Sequence, residues 1–290
     1  MNIRLVNYMA LKLLRKSLIP FNSRAYLMIP TMVLRSLSSV ILHELNCDIE
    51  RRDVRDVVFA FSKYWINISH DGFVFITREG GDLSVTDLMH EPHVSPIIID
   101  LIRRSRTFVD IGAHIGTYTV RAPKLMRGSP VILAFEPYRS NFSLLKKNME
   151  LNYTRIPCSV EIFNLALGSY DGYVSLYGPQ GPDPGFSGHL STNPEFIKRA
   201  VDARKICDVK VARLDGLPRV SQLETIDFMK IDVEGAELGI LEGAKGILMR
   251  VKNVLVETIY PDEVCSLLHE FGFNVCTSFH GGFYLHLSRR

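Results

Sequence analysis

A chain of 290 residues with 47% hydrophobic and 22% charged side chains has ample length for a buried core. Its make-up is that of an ordinary globule, not of a disordered or fibrous polypeptide. The net charge of +3 is too mild to direct it to nucleic acid. Cys47, Cys158, Cys207, Cys265 and Cys276 are odd in number and scattered, with no C-x-x-C pair. That disfavours a disulfide frame or a zinc site and points to a reducing, cytoplasmic setting.

Residues 1–52 carry eight Arg or Lys against three acids, Glu44, Asp48 and Glu50. At about 100° per residue, Arg4, Lys12, Arg15 and Lys16 share an arc of roughly 120°, with Ile3, Val6, Met9, Ala10, Leu13 and Leu14 mainly opposite. Such a basic amphipathic helix is expected to pack on the rest of the chain or on another subunit of a homo-oligomer. The alternative is peripheral contact with an anionic membrane through residues 1–20. The apolar run Ala25–Leu34 is too short to span a bilayer, and polar residues interrupt every run that could serve as a secretory signal.

Residues 53–105 read as a hairpin followed by a helix. Val54–Leu83 alternates and carries turn signals at His70-Asp71-Gly72 and Glu79-Gly80-Gly81, with Trp65 and Ile66 on one side and Phe73 and Phe75 on the other. Ser95–Ile102 has a helical apolar pattern. His90 and His93 stand three apart but lack a Cys or second carboxylate nearby, so surface histidines are expected and no metal ligand is assigned.

The stretch Thr107–Tyr118, T-F-V-D-I-G-A-H-I-G-T-Y, opens as an apolar strand, ends on Asp110, turns through Gly112, Ala113 and Gly116, and enters a helical pattern at Thr117. Small residues let a backbone approach a ligand, and free N–H groups at a helix start would face it. The spacing Asp-x-Gly-x-x-x-Gly differs from the three-glycine dinucleotide fingerprint. A carboxylate beside the turn repels phosphate and suits a cationic or hydroxyl-bearing end, such as an aminoacyl group. Val131–Phe135 is an unbroken apolar run, the mark of a strand buried on both faces, stopped by Glu136-Pro137. Glu136 follows Gly112 by 24 positions, near the roughly 20-residue offset at which an acid reaches a nucleoside ribose. One carboxylate can accept hydrogen bonds from two vicinal hydroxyls.

Further on, the pattern predicts a helix over Arg139–Leu151 and a strand over Val160–Phe163, then the small-residue run Asn164–Gly168. Gly178–Arg204 is Gly/Pro-rich and reads as a long loop holding one titratable imidazole, His189. Val209–Leu214 is a strand and Asp215-Gly216 a turn. In Ile226–Glu237, Phe228, Met229 and Ile231 make a strand with Asp232 and Glu234 at its carboxyl end, and Gly235 turns into a helix over Ala236–Leu248. Two-residue spacing along an extended chain puts Asp232 and Glu234 on one side; helix capping is the alternative role. Val254–Val256 ends in a third acid, Glu257. Acids gathered at one sheet edge are costly unless they bind cations, hydroxyls or a shared proton, and a hard divalent ion is one candidate. A helix over Pro261–Glu270 and strands Asn274–Ser278 and Phe283–Leu287, joined through Gly281-Gly282, close the chain.

The runs D-I-G-A-H-I-G, A-F-E-P, N-L-A-L-G, L-D-G-L, D-F-M-K-I-D-V-E-G-A-E and L-V-E-T together resemble the FkbM family of S-adenosylmethionine-dependent methyltransferases, over Phe73 to Phe273. The resemblance implies an α/β, doubly wound, mostly parallel seven-stranded sheet whose last strand is antiparallel. It makes residues 106–290 the methyltransferase domain behind the N-terminal extension. The methionine end of the cofactor would fall to Asp110, Gly112, Ala113, His114 and Gly116, and the ribose to Glu136 and Pro137. Ala166 would border the adenine, and Asp232 could meet the ammonium group. His114 stands where the family pattern has Asn, and Pro123 falls in the helix expected after the turn, where it costs a hydrogen bond. The Gly178–Arg204 loop would hang over the acceptor. The activity implied is O-methylation of a hydroxyl or carboxyl on a sugar, glycolipid or polyketide-like molecule, with Asp232, Glu234 or His189 as candidate bases. The contrasting reading is an inactive nucleoside-binding scaffold at a membrane surface.

Overall fold

The computed structural model of the chain describes residues 64–69, 71–78, 82, 85, 86, 88, 91–153, 159–179, 190–194, 203–279 and 284–289. The basic stretch 1–52, His90, His189 and Gly281-Gly282 therefore lie outside the described residues. The chain divides into two compact units, Met1–Asp87 and Leu88–Arg290.

In the smaller unit β1 (Tyr64–Ile68) and β2 (Val74–Arg78) pair antiparallel, from Tyr64 opposite Arg78 to Ile68 opposite Val74. The expected hairpin is thus present, turning at the first of its two signals. Gly72 supplies the left-handed φ of 82° there, and its N–H donates to the Ser69 carbonyl at 2.8 Å.

The larger unit begins with α1 (Ser95–Arg104), which buries Ile98, Ile99, Leu101 and Ile102 and ends on Arg103 and Arg104, well placed against its dipole. The helix, grouped with the hairpin in the sequence reading, belongs to this larger unit. There follow β3 (Thr107–Ile111), α2 (Ala122–Leu125), β4 (Val131–Phe135), α3 (Arg139–Asn152), β5 (Val160–Phe163), β6 (Ala166–Leu167), β7 (Gly172–Pro179) and β8 (Ala203–Ala212). Then come α4 (Pro218–Ser221), β9 (Ile226–Ile231), α5 (Glu237–Glu242), α6 (Lys245–Leu248), β10 (Val251–Glu257), α7 (Pro261–Glu270), β11 (Asn274–Phe279) and β12 (Tyr284–Ser288).

Seven of these strands form one sheet in the order β11-β12-β10-β9-β3-β4-β5. Neighbours from β10 to β5 are parallel, and β12 runs antiparallel to both of its neighbours. This is the doubly wound, mostly parallel arrangement the sequence implied. Its central strands are apolar on both faces, as burial on both sides requires: Phe108, Val109, Ile132, Leu133, Phe228, Met229 and Val254 are all buried. Phe108 and Phe228 stack across β3 and β9 with centroids 5.2 Å apart. The chain winds outward from β3 through β4 to β5 and in the other direction from β9 to β10. The carboxyl ends of β3 and β9 therefore flank the switch point, where open α/β sheets hold their ligands.

Three local expectations are corrected. The strand expected at Val209–Leu214 is the end of a longer β8, in a separate sheet of order β6-β8-β7. That sheet was not foreseen, because the Gly/Pro-rich stretch hid the ends of β7 and β8; β7 is an edge strand and tolerates Pro179. Its core is Ala166, Leu176, Val209 and Val211. The helix expected from Thr117 begins only at Ala122, so Pro123 sits in a first turn, where its missing N–H is not required. The helix expected over Ala236–Leu248 is broken at Gly243. A Cβ on Gly243 would stand 1.9 Å from the Gly168 carbonyl oxygen, and its own carbonyl accepts the Asp215 N–H at 3.0 Å.

This contact separates two helical glycines. Gly243→Ala forces backbone against backbone and should cost about 2–4 kcal/mol in urea unfolding. Gly239→Ala, with nothing within 4 Å of the added carbon, should be neutral or stabilise by about 0.5–1 kcal/mol.

Candidate active site

The bend after β3 is built from left-handed residues: Gly112 at φ 78°, His114 at 50° and Gly116 at 99°. A Cβ on Gly112 would meet the Asp232 carbonyl oxygen at 1.8 Å, so this bend and the loop after β9 touch backbone to backbone. A Cβ on Gly116 would lie 2.5 Å from Leu145 Cδ1 on α3. His114 occupies a conformation in which Asn, Asp and His are enriched over other side chains, which explains why His serves where the family pattern has Asn. Four amides of the bend are taken up within the protein. The Gly112 and Ala113 N–H groups donate to the Phe135 carbonyl at 3.1 and 3.0 Å, and that of Gly116 to Ala113 at 2.9 Å. The His114 N–H donates to Glu136 Oε2 at 2.9 Å. What the bend presents is carboxylates.

Glu136 is buried at the end of β4. Besides His114, it accepts from the Tyr138 N–H at 2.9 Å and from Asn141 Nδ2 at 3.3 Å. The Asn164 amide donates to the Glu136 and Pro137 carbonyls at 2.9 and 2.8 Å, tying the Glu-Pro stop to the end of β5. Ala166, two residues on, is buried in the core of the small sheet.

The charged centre is a residue that the sequence reading left without a role, Lys230. It is the register partner of Asp110 across β3 and β9 and is buried with it. Lys230 Nζ lies 2.9 Å from Asp232 Oδ2 and 3.6 Å from Asp110 Oδ1, and 5.6 Å from the centroid of the Tyr118 ring. Asp110 Oδ2 accepts from Thr119 Oγ1 at 2.6 Å, while Oδ1 is buried without a hydrogen-bond partner. Burial pushes the Asp110 carboxyl up despite Lys230. Burial also opposes charge on Lys230, but Asp232 and Asp110 outweigh it and hold the ammonium above its ordinary pKa. Asp232 is held below the ordinary carboxylate range, because Lys230 and a hydrogen bond with Glu257 overcome its desolvation. Glu257 is pushed up to about 11 by burial and by the Asp232 charge, so it is the proton donor of that pair. A lone cation inside the apolar run Phe228–Ile231 was the available signal, since a strand buried on both faces cannot leave a charge unpaired.

Asp232 and Glu234 do not share a side through strand alternation. β9 ends at Ile231, and Glu234 and Gly235 turn at φ 57° and 95°. Nor does either cap α5, whose N-cap residue Ala236 has no side-chain partner; the Gly235 N–H donates instead to Glu237 Oε1 at 2.6 Å. Glu237, unremarked in the sequence, is buried and pushed up to about 7 by that burial. The turn is also held from outside: Ser191 Oγ donates to the Glu234 carbonyl and Asn193 Nδ2 to the Gly235 carbonyl at 3.1 Å. Ser191 in turn pairs with Tyr177 of β7. No group of three or more His, Cys, Asp or Glu among the described residues is arranged to hold a metal ion.

The Methyltransferase FkbM domain matches residues 110–275, a span that opens on Asp110 and contains Glu136, Lys230, Asp232 and Glu257. The chain belongs to the FkbM methyltransferase family. It is similar to Methyltransferase 1 of Beauveria bassiana, with 32% identity over 47% of this chain and 57% of that protein. It is likewise similar to Methyltransferase sdnD of Sordaria araneosa, with 32% identity over 58% of this chain and 73% of the other. With the hexuronic acid methyltransferase AglP of Haloferax volcanii it shares 26% identity, over 64% of this chain and 71% of that one. The FkbM-family chain thus spans little more than half the length of the Beauveria protein. No helix among its described residues is long and apolar enough to cross a membrane.

Two stability measurements probe this site. Lys230→Met leaves the buried Asp110 and the half-buried Asp232 without their cation and should cost about 3–5 kcal/mol near neutral pH. Without Lys230 the folded-state pKa of Asp110 rises further above its unfolded value, so the loss should shrink as pH falls and Asp110 is neutralised. Urea unfolding at acid and neutral pH checks both signs. For Glu237, a folded pKa near 7 against an ordinary 4.5 means that its contribution is fully present below 4.5 and is lost as pH rises toward 7. Glu237→Gln keeps the acceptor for Gly235 and should remove roughly 3 kcal/mol of that pH-dependent decline.

Proposed function

We propose that this FkbM-family chain transfers a methyl group from S-adenosylmethionine to an oxygen, hydroxyl or carboxyl, of a small-molecule or glycan acceptor. The observation that carries the reading is Glu136: a buried carboxylate at the carboxyl end of β4, held by His114, Tyr138 and Asn141 against the glycine bend. That is the location and chemistry at which a nucleoside ribose is gripped. Asn141, at 3.3 Å the longest of the three contacts, is the one a ribose hydroxyl would displace. The cofactor also fits Asp110, whose buried Oδ1 has no hydrogen-bond partner beside the bend. Asp110, Gly112, Ala113, His114 and Gly116 would hold the methionine end, with Asp232 near its ammonium. Glu136 and Pro137 would take the ribose, and Ala166 would border the adenine.

When bound, the sulfonium supplies a methyl carbon that is already electrophilic, so the protein's part is chiefly to align the acceptor oxygen and manage its proton. Asp232, Glu234 and His189 are the candidates for that proton. The relative whose name specifies hexuronic acid supports a sugar acceptor here. A cytoplasmic setting, a peripheral membrane contact through residues 1–20 and a homo-oligomer belong to the same proposal.

Calorimetry with S-adenosylmethionine and with NAD separates the cofactor classes. Glu136→Ala should weaken S-adenosylmethionine binding by ~1–3 kcal/mol through lost charge-assisted hydrogen bonds. Unchanged affinity removes the ribose assignment, and preference for NAD ends the methyl-transfer reading.

A further inference from the structure

At the carboxyl edge of the sheet the acids are not equivalent. Within the array Asp110–Lys230–Asp232, the side chain of Asp232 is 33% exposed, against 1% for Asp110 and 4% for Lys230. Asp110 is locked between Thr119 and Lys230 inside the sheet. Asp232, paired with Lys230, is the most open of the three to an arriving acceptor. Its surroundings come from several neighbouring elements: Lys230 on β9, Asp110 on β3, His114 on the glycine bend, Glu257 on β10, Glu234 on the turn that follows and Glu237 on α5. Tyr118 adds its ring above Lys230, and its hydroxyl lies 2.9 Å from Ser95 Oγ. Tyr284 on β12 is the register partner of Glu257 and donates to the Glu91 carboxylate.

We propose that the acceptor of this enzyme is a hydroxyl compound and that Asp232 takes up its proton, with Lys230, 2.9 Å away, as the positioning residue that orients it and Glu257 as its neighbour on β10. The proposal rests on the methyl-transfer reading above and narrows it. A carboxylate acceptor would enter a region where Asp232, Glu234 and Glu91 are gathered while Lys230 is turned toward Asp110 and Asp232. Like charges brought together there repel. A hydroxyl acceptor reverses that sign by donating its hydrogen to Asp232. In balance, the acceptor oxygen bonds to the methyl carbon, the methyl–sulfur bond breaks with its electron pair left on sulfur, and the hydroxyl proton passes to an Asp232 oxygen and then to water. An alcohol oxygen that is bonding to carbon turns strongly acidic. The group receiving its proton must therefore be ionised and aimed, and need not be strongly basic. Glu257, pushed up by burial and by the Asp232 charge, is the poorer candidate for that role.

The first test needs no acceptor. Carbon-13 carboxyl NMR of the full chain, assigned with Asp232→Asn and Glu257→Gln, should find Asp232 ionised and Glu257 protonated from about pH 5 to about pH 9. An ionised Glu257 or a protonated Asp232 near pH 7 overturns the arrangement. Glu257→Leu should raise the Asp232 midpoint by about one unit or more, and Glu257→Gln, which keeps the donor, should not; equal midpoints in the two variants also overturn it. The second test incubates the chain with methyl-labelled S-adenosylmethionine and cell extract, then treats the product with mild alkali. Label retained as a methyl ether is expected, and label released as methanol betrays an ester and overturns the inference alone. Absence of any transfer despite cofactor binding overturns the methyl-transfer reading together with the inference. With S-adenosylmethionine kept saturating, so that a weakened ammonium contact does not count, Asp232→Asn should lower turnover about 100-fold or more. Near-normal turnover in that variant, with the loss appearing in Glu234→Gln instead, overturns the choice of base.

Discussion

A lysine ammonium enclosed between two β-strands is stable only if its countercharges are built into the same sheet. Lys230 finds them on either side: Asp110 across the register from it and Asp232 two residues along its own chain. Removing a cation and a carboxylate from water costs several kcal/mol each, and their attraction repays this only at close range with the remaining polar atoms satisfied. The geometry meets that condition on the Asp232 side, at 2.9 Å, and only loosely on the Asp110 side, at 3.6 Å. The Asp110 carboxyl is accordingly pushed up and one of its oxygens lacks a hydrogen-bond partner, while Asp232 is held low and is partly open. One buried cation thus makes two chemically similar acids behave differently.

The rest of the site follows from how closely its backbones pack. Gly112 touches the Asp232 carbonyl without an intervening side chain, so the bend after β3 and the loop after β9 hold each other in place. The Gly112, Ala113, His114 and Gly116 amides are taken up by Phe135, Ala113 and Glu136, which fixes the bend from within the protein. Glu136 then works in two directions. It fastens the bend through His114 and fastens the start of α3 through Tyr138 and Asn141. A residue proposed to hold a cofactor is in this way also part of the frame, and its replacement is expected to be felt in both.

The small sheet contributes at the other side. Through Ser191 and Asn193, the segment that follows β7 grips the Glu234–Gly235 turn. Through Gly168 the small sheet abuts Gly243, where the helix after that turn is broken. The turn's left-handed residues are therefore held by contacts from outside as well as by Glu237 beneath them. Backbone in that region of φ is costly for Glu234, and it persists because several neighbours fix it at once.

What the sequence determined unaided was local. An unbroken apolar run stopped by a charge and a proline placed Val131–Phe135, and apolar spacing behind a proline placed Pro261–Glu270. The same rules put Asp110 and Glu136 at the ends of adjacent strands, and the run K-I-D-V-E-G-A-E carried the family. Decided only by the tertiary structure were the partners of Lys230, the upward push on Glu257, the pairing of β6 and β7 with β8, and the break at Gly243. The physical reason is range. Periodicity and propensity act over a few residues, whereas the charge on Asp232 is favoured by Lys230, Glu257 and His114, which reach it from two strands and the glycine bend, with His114 more than a hundred positions away along the chain.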